Sequence, residues 1–451
     1  MNRIRVMKFG GTSVASPESR LKSALRVISA REQGNWPVVV VSAIGRRGAP
    51  YATDTLIQQL REIDDEVDPD PRELDLLLAC GEILSAVIFA HTLKTLGHPA
   101  MAFRGGQAGI RTDGVFGNAR IVGINPYSLQ RAIERGKIPV VCGFQGVYVD
   151  EPGAPGGELT TLGRGGSDTT ASALGAALRA ERVEIYTDVD GVKTADPDAV
   201  PAAPTLRKVT YDEVAEIAHL GAKVVHPRAA EIAMNHGIPL WVKNTFSDDE
   251  GTEIVDRSKF PGRRATGVTH SGKLVYLQFD LGNASADDRV MLESRIYETM
   301  SRYGVNLYML DLSPQSTGFA VPRDQYPIVE NVLDGLVIPV NREPRRVYLF
   351  QIGRLASREV ETQADLLTEL GEVRRVPAAL TEACTVVSLV GHEFMQQSGL
   401  FHAVLSTLAE HNIAVLQTSD SDFSLSVLVT ESESLRAVRV LHERFGLSDV
   451  G

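Results

Sequence analysis

Residues 162–168 read Leu-Gly-Arg-Gly-Gly-Ser-Asp and combine three glycines with a guanidinium, a hydroxyl and a carboxylate. The Ala-rich segment Thr169–Leu178 follows at once and has good helix propensity. Glycines let backbone N–H groups approach an anion closely, and a helix begins with the positive end of its dipole. Glycine-rich turns are more often only structural, but the polar residues of this one favour a phosphate site.

Other polar residues lie near the ends of further predicted strands. Lys8 stands beside a pair of glycines at the end of a first strand, and Ser42 follows the β-branched run Val38–Val41. Parallel α/β sheets bind their ligands at the carboxyl ends of the strands. Lys8 alone would read as a solvated turn residue. Together with Ser42, Glu82 and the glycine-rich stretch, it indicates a single cleft.

Several other kinds of site are disfavoured. The sequence contains neither the P-loop pattern nor an intact G-x-G-x-x-G. His392 and Glu393 lack the second histidine of H-E-x-x-H, and the ten histidines show no metal-ligand spacing. We therefore expect neither a P-loop, nor a dinucleotide fold, nor a protein-bound metal centre.

Composition limits the class of protein. A chain of 451 residues is too long for one ordinary core, so two or three domains are expected. The net charge of -11 disfavours a nucleic-acid partner, although a local basic cluster can still hold anionic substrates. Cys80, Cys142 and Cys384 are odd in number and far apart, which predicts buried, reduced thiols. We find no secretory signal and no apolar run long enough for a bilayer, so we expect a cytoplasmic location without a membrane partner.

Strand and helix patterns alternate over about the first 245 residues, which predicts an α/β domain with a largely parallel sheet. The predicted strands are Ile4–Phe9, Val38–Val41, Pro99–Phe103, Ile138–Cys142, Val183–Thr187 and Ile238–Val242. One predicted helix begins at Ser16–Pro17. The other predicted helices are Leu74–Ala90, Tyr127–Arg135, Thr169–Leu178 and Val224–His236.

The C-terminal part contains an internal repeat. Ile296–Val321 aligns without gaps with Val404–Val429, at an offset of 404 − 296 = 108 that stays 429 − 321 = 108. Each copy reads helix, turn, strand, turn, strand, with Gly304 or Asn412 in the first turn. Two copies predict a pair of small α+β modules rather than a solenoid. The predicted division is a domain at 1–246, a linker at 247–264, modules at 265–344 and 384–451, and a connecting segment at 345–383. That segment reads as a strand, a helix near Gln363–Leu370 and a connector.

Five segments of the first domain carry a family resemblance. They resemble, in order, the signature segments of the aspartate kinases, which belong to the amino acid kinase family, and the two repeats resemble that family's tandem ACT modules. The segments are Lys8–Ser13, Leu162–Asp168, Tyr186–Val192, Ala195–Pro197 and Gly221–Pro227.

The resemblance implies a three-layer kinase domain followed by two ACT-like modules, and phosphorylation of the β-carboxylate of L-aspartate by ATP with Mg²⁺. The product, 4-phospho-aspartate, leads towards lysine, threonine, methionine and diaminopimelate. The implied roles are transfer for Lys8 and Asp168, aspartate binding for Ser42, Thr53, Glu82, Arg164 and Ser167, and ATP binding for Gly10, Gly11, Thr187, Asp188, Asp196 and Lys223.

The chemistry suits these residue types. A carboxylate nucleophile is already ionised at neutral pH, so it needs no general base. The reaction needs two anions in line and neutralisation of the phosphoryl charge, which Lys8, backbone N–H groups and Mg²⁺ bridging phosphate oxygens supply. Arg164 suits the planar α-carboxylate, and Glu82 suits the substrate ammonium.

Two alternatives stay open at this stage. One is another kinase of the same fold, acting on glutamate, N-acetylglutamate, carbamate or UMP. The other is a non-catalytic amino-acid sensor. The modules imply an amino-acid effector such as lysine or threonine, or assembly of a homodimer or higher oligomer. Gly399 of the second repeat corresponds to Met291 of the first (399 − 108 = 291), so close approach of an effector to the backbone is easier in the second.

Overall fold

The structure is a computed structural model that describes residues 3–64, 67–149, 157–221, 225–260, 263–340, 344–352 and 367–449. It forms two compact units. The first contains the chain up to Thr194, Ala202–Gly267 and the chain end from Leu447. The second contains Ala195–Pro201 and Val268–Gly446.

The main sheet of the first unit has eight strands in the order β10-β12-β11-β9-β1-β2-β6-β3. Every neighbouring pair is parallel except β11 with β12. The mainly parallel sheet confirms the predicted fold class. The strands are β1 (Ile4–Phe9), β2 (Trp36–Val41), β3 (Ala100–Phe103), β6 (Ile138–Cys142), β9 (Arg182–Thr187), β10 (Lys208–Thr210), β11 (Leu240–Asn244) and β12 (Thr252–Val255).

A smaller sheet in the order β5-β4-β7-β8 was not anticipated. Its last strand leads directly into the glycine-rich segment. The strands are β4 (Ile110–Thr112), β5 (Ile121–Ile124), β7 (Gln145–Tyr148) and β8 (Glu158–Thr161).

Helices cover both faces of the main sheet. On one face α1 and α3 pack against a core that includes Met7, Phe9 and Phe89. On the other face α5 packs on β1 and β9. The described helices of this unit are α1 (Pro17–Glu32), α2 (Thr53–Arg61), α3 (Pro71–Thr95), α4 (Tyr127–Glu134), α5 (Gly166–Leu178), α6 (Tyr211–His219) and α7 (Pro227–Asn235).

Helix α3 is longer than the sequence indicated, because Asp70 caps it through the N–H groups of Arg72 and Glu73. By length and composition it could cross a membrane. However, half of its apolar window is buried, and its buried residues include Asp75 and Glu82. It is therefore the core helix of this unit.

The second unit is built on one further sheet, ordered β14-β15-β13-β18-β17-β16, with β20 pairing β18 and β19 pairing β20. Both repeats have the predicted helix-strand-strand order, and Gly304 and Asn412 have positive φ values of 66° and 56°. The strands are β13 (Gly267–Asp280), β14 (Tyr308–Leu312), β15 (Ser316–Pro322), β16 (Val337–Val340), β17 (Arg346–Gln351), β18 (Glu372–Val390), β19 (Gln417–Asp420) and β20 (Ser424–Thr430), and the helices are α8 (Ala286–Arg302), α9 (Tyr326–Leu333), α10 (Leu400–Glu410) and α11 (Ser434–Arg444).

Three sequence expectations need correction, namely the linker, the end of the connecting segment and the burial of Cys80. The linker predicted at 247–264 contains β12, because Thr252–Val255 pairs with both β10 and β11. The segment predicted at 345–383 contains a strand, β17, as expected, but its end is the first part of β18 rather than a connector, and the two strands pair in parallel. The helix expected near Gln363–Leu370 lies mostly outside the described residues, and Thr368–Leu370 is a short 3-10 turn. Cys142 and Cys384 are buried free thiols, as expected, but Cys80 is exposed.

Candidate functional site

Lys8 and Asp168 form an ion pair at the centre of the first unit. The Lys8 Nζ lies 2.7 Å from Asp168 Oδ1, and the two side chains are 12% and 13% exposed. Lys8 is the penultimate residue of the central strand β1, opposite Val40 of β2 and Ile185 of β9. Asp168 is in the first turn of α5. The fold thus joins two residues that are 160 positions apart.

The glycine-rich segment connects β8 to α5. Gly163 and Gly165 adopt φ values of 74° and 68°, which L-residues with a side chain rarely adopt. A Cβ on Gly165 would also collide with the His226 ring. Arg164 stands exposed between these glycines. The segment therefore needs its glycines for backbone shape and close packing, and it leaves the guanidinium accessible.

A buried carboxylate fixes the strand before this segment. Asp75 on α3 is fully buried and accepts hydrogen bonds from the Thr161 N–H at 2.8 Å and the Thr161 hydroxyl at 2.5 Å. It also accepts from the Gly117 N–H at 3.0 Å. Sequence reasoning missed Asp75, because a carboxylate in a helical segment is usually a solvated surface group.

Gly10 and Gly11 follow β1, and the structure gives each a different reason to be glycine. A Cβ on Gly10 would lie 3.5 Å from the Lys8 Nζ, so Gly10 borders the ammonium. A Cβ on Gly11 would collide with the carbonyl oxygens of Gly45 and Ala43. Gly11 thus permits close packing of the turn after β1 on the turn after β2.

Ser42, Thr53 and Glu82 come together around that second turn. The Ser42 N–H donates to the Phe9 carbonyl at 3.1 Å, and Glu82 Oε1 accepts from the Ala43 N–H at 2.9 Å. Thr53 is the half-buried first residue of α2, which packs on α3. These three predicted residues therefore lie on adjoining segments at the same end of the sheet.

Glu82 is electrostatically unusual. Its side chain is 2% exposed, and its Oε2 has no hydrogen-bond partner among the described residues. Burial raises the pKa of Glu82 to about 8, although the Ala43 hydrogen bond opposes the rise. The carboxyl is therefore mostly neutral at pH 7 and has one oxygen without a partner.

Ser167 is buried beside the loop after β6. A Cβ on Gly143 would lie 2.6 Å from the Ser167 Oγ, and the Gly143 N–H donates to the Val41 carbonyl at 3.0 Å. Ser167, the second residue of α5, therefore packs against the turn between β6 and β7.

Thr187 and Asp188 extend from the end of β9. The Thr187 hydroxyl donates to Asp188 Oδ1 at 3.0 Å, and Arg46 Nη2 lies 2.8 Å from Asp188 Oδ2. Arg46, which the sequence analysis did not single out, is 72% exposed. This surface pair links the turns after β2 and β9.

The described first unit contains neither of two further predicted residues, Asp196 and Lys223. Asp196 belongs to the segment Ala195–Pro201 of the second unit, where its Oδ1 accepts the Asp198 N–H at 2.9 Å. Lys223 lies outside the described residues. Their roles stay predictions.

His226 and Arg228 were also missed as site residues, although the segment Gly221–Pro227 had been singled out. Arg228 donates to the Leu162 carbonyl at 3.2 Å and to Asn118 Oδ1 at 2.8 Å, which ties α7 to the glycine-rich segment. Burial lowers the pKa of His226, and Arg228 lowers it further, while Asp168 opposes the shift. The imidazole therefore favours its neutral form behind Gly165.

The comparisons with known proteins identify the family. The family model of the amino acid kinase family matches residues 3–244, and an ACT domain model matches residues 387–445. Aspartokinase 1 of Bacillus subtilis (strain 168) is 36% identical over 452 residues, covering 99% of this chain and 100% of that protein.

Solved structures show the same fold. Aspartokinase III of E. coli in complex with aspartate and ADP (R-state) has a TM-score of 0.68 at 23% identity, covering 98% of this chain and 100% of that one. The same enzyme with lysine and aspartate (T-state) has a TM-score of 0.67 at 23% identity, covering 98% and 99%. Since the sequence match to the Bacillus subtilis enzyme spans both chains, this chain belongs to the amino acid kinase family and, within it, to the aspartokinases.

Proposed function

We propose that the cleft around Lys8 and Asp168 is where this aspartokinase transfers the γ-phosphoryl of ATP to the β-carboxylate of L-aspartate, giving 4-phospho-L-aspartate. The observation that carries the proposal is the 2.7 Å Lys8–Asp168 pair at the carboxyl end of the central strand, beside two glycine turns. Ligands of open α/β sheets bind at that end.

In this proposal Lys8 neutralises charge on the transferring phosphoryl. An ammonium is a compact point charge with three donors, and Asp168 holds it in place without consuming all of them. Gly10, next to the Nζ, leaves room for phosphate oxygens. The carboxylate nucleophile needs no general base, so no residue of the site has to remove a proton from it.

The aspartate side is proposed to lie between the turn after β2 and α5. Glu82 would accept the substrate ammonium through its unpartnered Oε2. The exposed guanidinium of Arg164 offers a bidentate pair to the α-carboxylate. Ser42, Thr53 and Ser167 supply hydroxyls, which hydrogen-bond to carboxylate oxygens.

The nucleotide is proposed to bind at the turns after β1 and β9. Gly10 and Gly11 would face the phosphates, and Thr187 and Asp188 the nucleoside side, with Asp196 and Lys223 as further predicted contacts. We assign Mg²⁺ to the substrate MgATP, bridging phosphate oxygens, because this ion keeps several waters and relies on substrate phosphates.

The decisive test is acyl-phosphate trapping with ATP, Mg²⁺ and hydroxylamine. L-aspartate should yield the hydroxamate, while glutamate, N-acetylglutamate, carbamate and UMP should give at most traces of product or ADP. Rapid ADP release with one of those substrates would favour another kinase of this fold. Absence of hydroxamate from a folded, ATP-binding protein would favour a sensor.

A regulatory role for the C-terminal modules is the second part of the proposal. It is supported by the ACT domain match at residues 387–445 and by the bound lysine of the E. coli T-state structure. Gly399 precedes α10 with φ at 86°, whereas Met291 lies inside α8. We therefore place the effector at the second repeat.

Initial rates with lysine, threonine, methionine and diaminopimelate, added singly and in pairs, test the regulatory part. At least one of them should inhibit the enzyme, and Gly399→Ala should weaken that inhibition. Light scattering of the same samples would determine whether the protein is a homodimer or a larger oligomer. Full activity under every combination would contradict feedback control.

A further inference from the structure

A second cleft, of about 180 Å³, lies on the other face of the main sheet from the Lys8–Asp168 pair. Successive residues of a strand point to opposite faces, so Arg5 and Lys8, three positions apart, point away from each other. Arg5 lines this cleft together with Ser29 and Gln33 of α1, whereas Lys8 meets α5. The two sites are therefore separated by the sheet itself.

Four cationic side chains line this second cleft, namely Arg5, Arg26, Arg182 and Lys243. Glu184 is the buried carboxylate among them, at 2% exposure. It is already engaged, because its Oε1 lies 2.6 Å from Arg182 and its Oε2 accepts the Tyr186 hydroxyl at 3.1 Å. Within the cleft this leaves one engaged carboxylate for four cations, because Glu181, 3.8 Å from the Arg5 Nε, is 45% exposed and the other carboxylates of the lining lie on the rim.

The acidic residues on the rim do not correct this imbalance. Asp248 pairs with Arg26 at 2.7 Å, but its side chain is 95% exposed, so solvent screens the pair. Asp249 and Glu250 lie 3.4 and 3.7 Å from Arg207. No carboxylate of the described residues lies within 4.0 Å of the Lys243 ammonium, which sits 5.6 Å from the Trp241 ring.

The arrangement of charged groups in this cleft costs free energy in two ways. Burial lowers the pKa of Lys243, and repulsion by the neighbouring arginines lowers it further. The attraction of Glu184 opposes this shift. In addition, the Nε–H groups of Arg5 and Arg182 are buried without a hydrogen-bond partner among the described residues. Buried charged donors without acceptors cost free energy, so an anion that supplies acceptors would stabilise the fold.

We propose that this cleft binds a phosphate group, either as inorganic phosphate or as a small phosphate monoester. The unpartnered Nε–H groups of Arg5 and Arg182 and the Lys243 ammonium favour an anion, and guanidinium forks with a nearby ammonium are suited to phosphate oxygens. The volume is below the 300–1,000 Å³ or so of drug-sized ligand sites, which favours a small anion over a whole nucleoside triphosphate.

Tryptophan fluorescence provides a direct test, since the chain has two tryptophans and Trp241 lies 5.5 Å from Arg182 and 5.6 Å from Lys243. In a Trp36→Phe background, the full chain is titrated with inorganic phosphate or glycerol 2-phosphate at constant ionic strength set with chloride. Both probes should change the emission saturably, and the tighter one identifies the source of the phosphate. Saturating ADP, or Lys8→Ala, should leave the titration unchanged because the nucleotide cleft is on the opposite face.

Lys243→Gln is the informative variant. The substitution should weaken phosphate binding at least tenfold. Without phosphate, the melting temperature of the variant should equal or exceed that of the parent, because the Lys243 charge no longer repels the neighbouring arginines. The matched control is Arg131→Gln, an exposed arginine 3.9 Å from Glu134, which should change neither quantity. Unaltered phosphate binding in Lys243→Gln, loss of the signal with ADP, or no response to either probe would overturn the proposal.

Discussion

Asp168 holds the Lys8 ammonium at 2.7 Å in a site where both side chains are mostly buried. A structure with these groups on opposite faces of the sheet would have contradicted the kinase interpretation, and they are instead in direct contact. The pair explains why a strand at the beginning of the chain and a glycine-rich turn far downstream had to be considered together.

Lys8→Ala should lower kcat about 10³-fold, the order found for loss of one group that stabilises transition-state charge. It also leaves Asp168 without its cation, so some stability is lost. The double variant Lys8→Ala with Asp168→Asn should recover stability in thermal melts but not turnover in the hydroxamate assay. Lys22→Ala, an exposed lysine paired with Glu18, is the control. Normal kinetics in Lys8→Ala would reject the proposed role.

Aspartate binding should depend on pH through Glu82. Burial raises the pKa of the Glu82 carboxyl to about 8 in the free protein. The substrate ammonium binds the ionised form of this carboxyl. The dissociation constant for aspartate should therefore fall up to about tenfold per unit as pH rises from 6 to 8, and then level off. Calorimetry in buffers of different ionisation enthalpy should detect proton release on binding. Glu82→Gln should remove both effects, whereas the exposed Glu134→Gln should keep them.

Glu82 also links pH to folding. Because its folded pKa is raised, its neutral form contributes stability that is fully present below the ordinary value of 4.5 and is lost as pH rises through about 8. The melting temperature of the parent protein should thus fall more steeply than that of Glu82→Gln from about pH 5 to about pH 8, and the difference should stop growing above that range. Parallel curves for the two proteins over the whole pH range would show that ionisation of Glu82 does not change the free energy of unfolding.

Gly10→Ala and Gly11→Ala form a matched pair. The added methyl at Gly11 meets backbone oxygens of the neighbouring turn, so the free energy of unfolding should fall by about 1–3 kcal/mol. At Gly10 it would lie 3.5 Å from the Lys8 Nζ, an ordinary contact, so stability should hold while kcat falls. Urea unfolding and initial rates separate the two. Equal stability of both variants would refute this distinction.

Asp75→Asn should disturb the glycine-rich segment indirectly, through the strand that precedes it, because Asp75 binds the Thr161 N–H. Both carboxylate oxygens accept from N–H groups, and an amide nitrogen cannot accept, so about 1–3 kcal/mol of stability should be lost. Because Asp75 does not touch the cleft, KM for aspartate should rise more than kcat falls. Asp113→Asn, at an exposed turn, should change both much less. A drop in kcat alone would point to a direct part in transfer.

The sequence predicted the central strands and α5 well, because β-branched runs buried on both faces and an Ala-rich segment after glycines are strong local signals. Asp75, Arg46 and Arg228 were missed because their functions depend on partners 86, 142 and 66 residues away. Strand β12 was read as a linker, because pairing at the edge of the sheet, rather than its polar surroundings, makes it a strand. Cys80 was expected to be buried, but it faces solvent on α3.

Strand β18 runs without interruption for 19 residues. Its first half pairs with β17, and its second half pairs with β20 of the second repeat. One continuous strand therefore contributes to both repeats, with Val376 in a cluster of the first and Cys384 in a cluster that joins Tyr276 of the first to Leu428 of the second. A displacement of this strand at one repeat would therefore move residues that pack against the other repeat, which makes the strand a direct covalent connection between them.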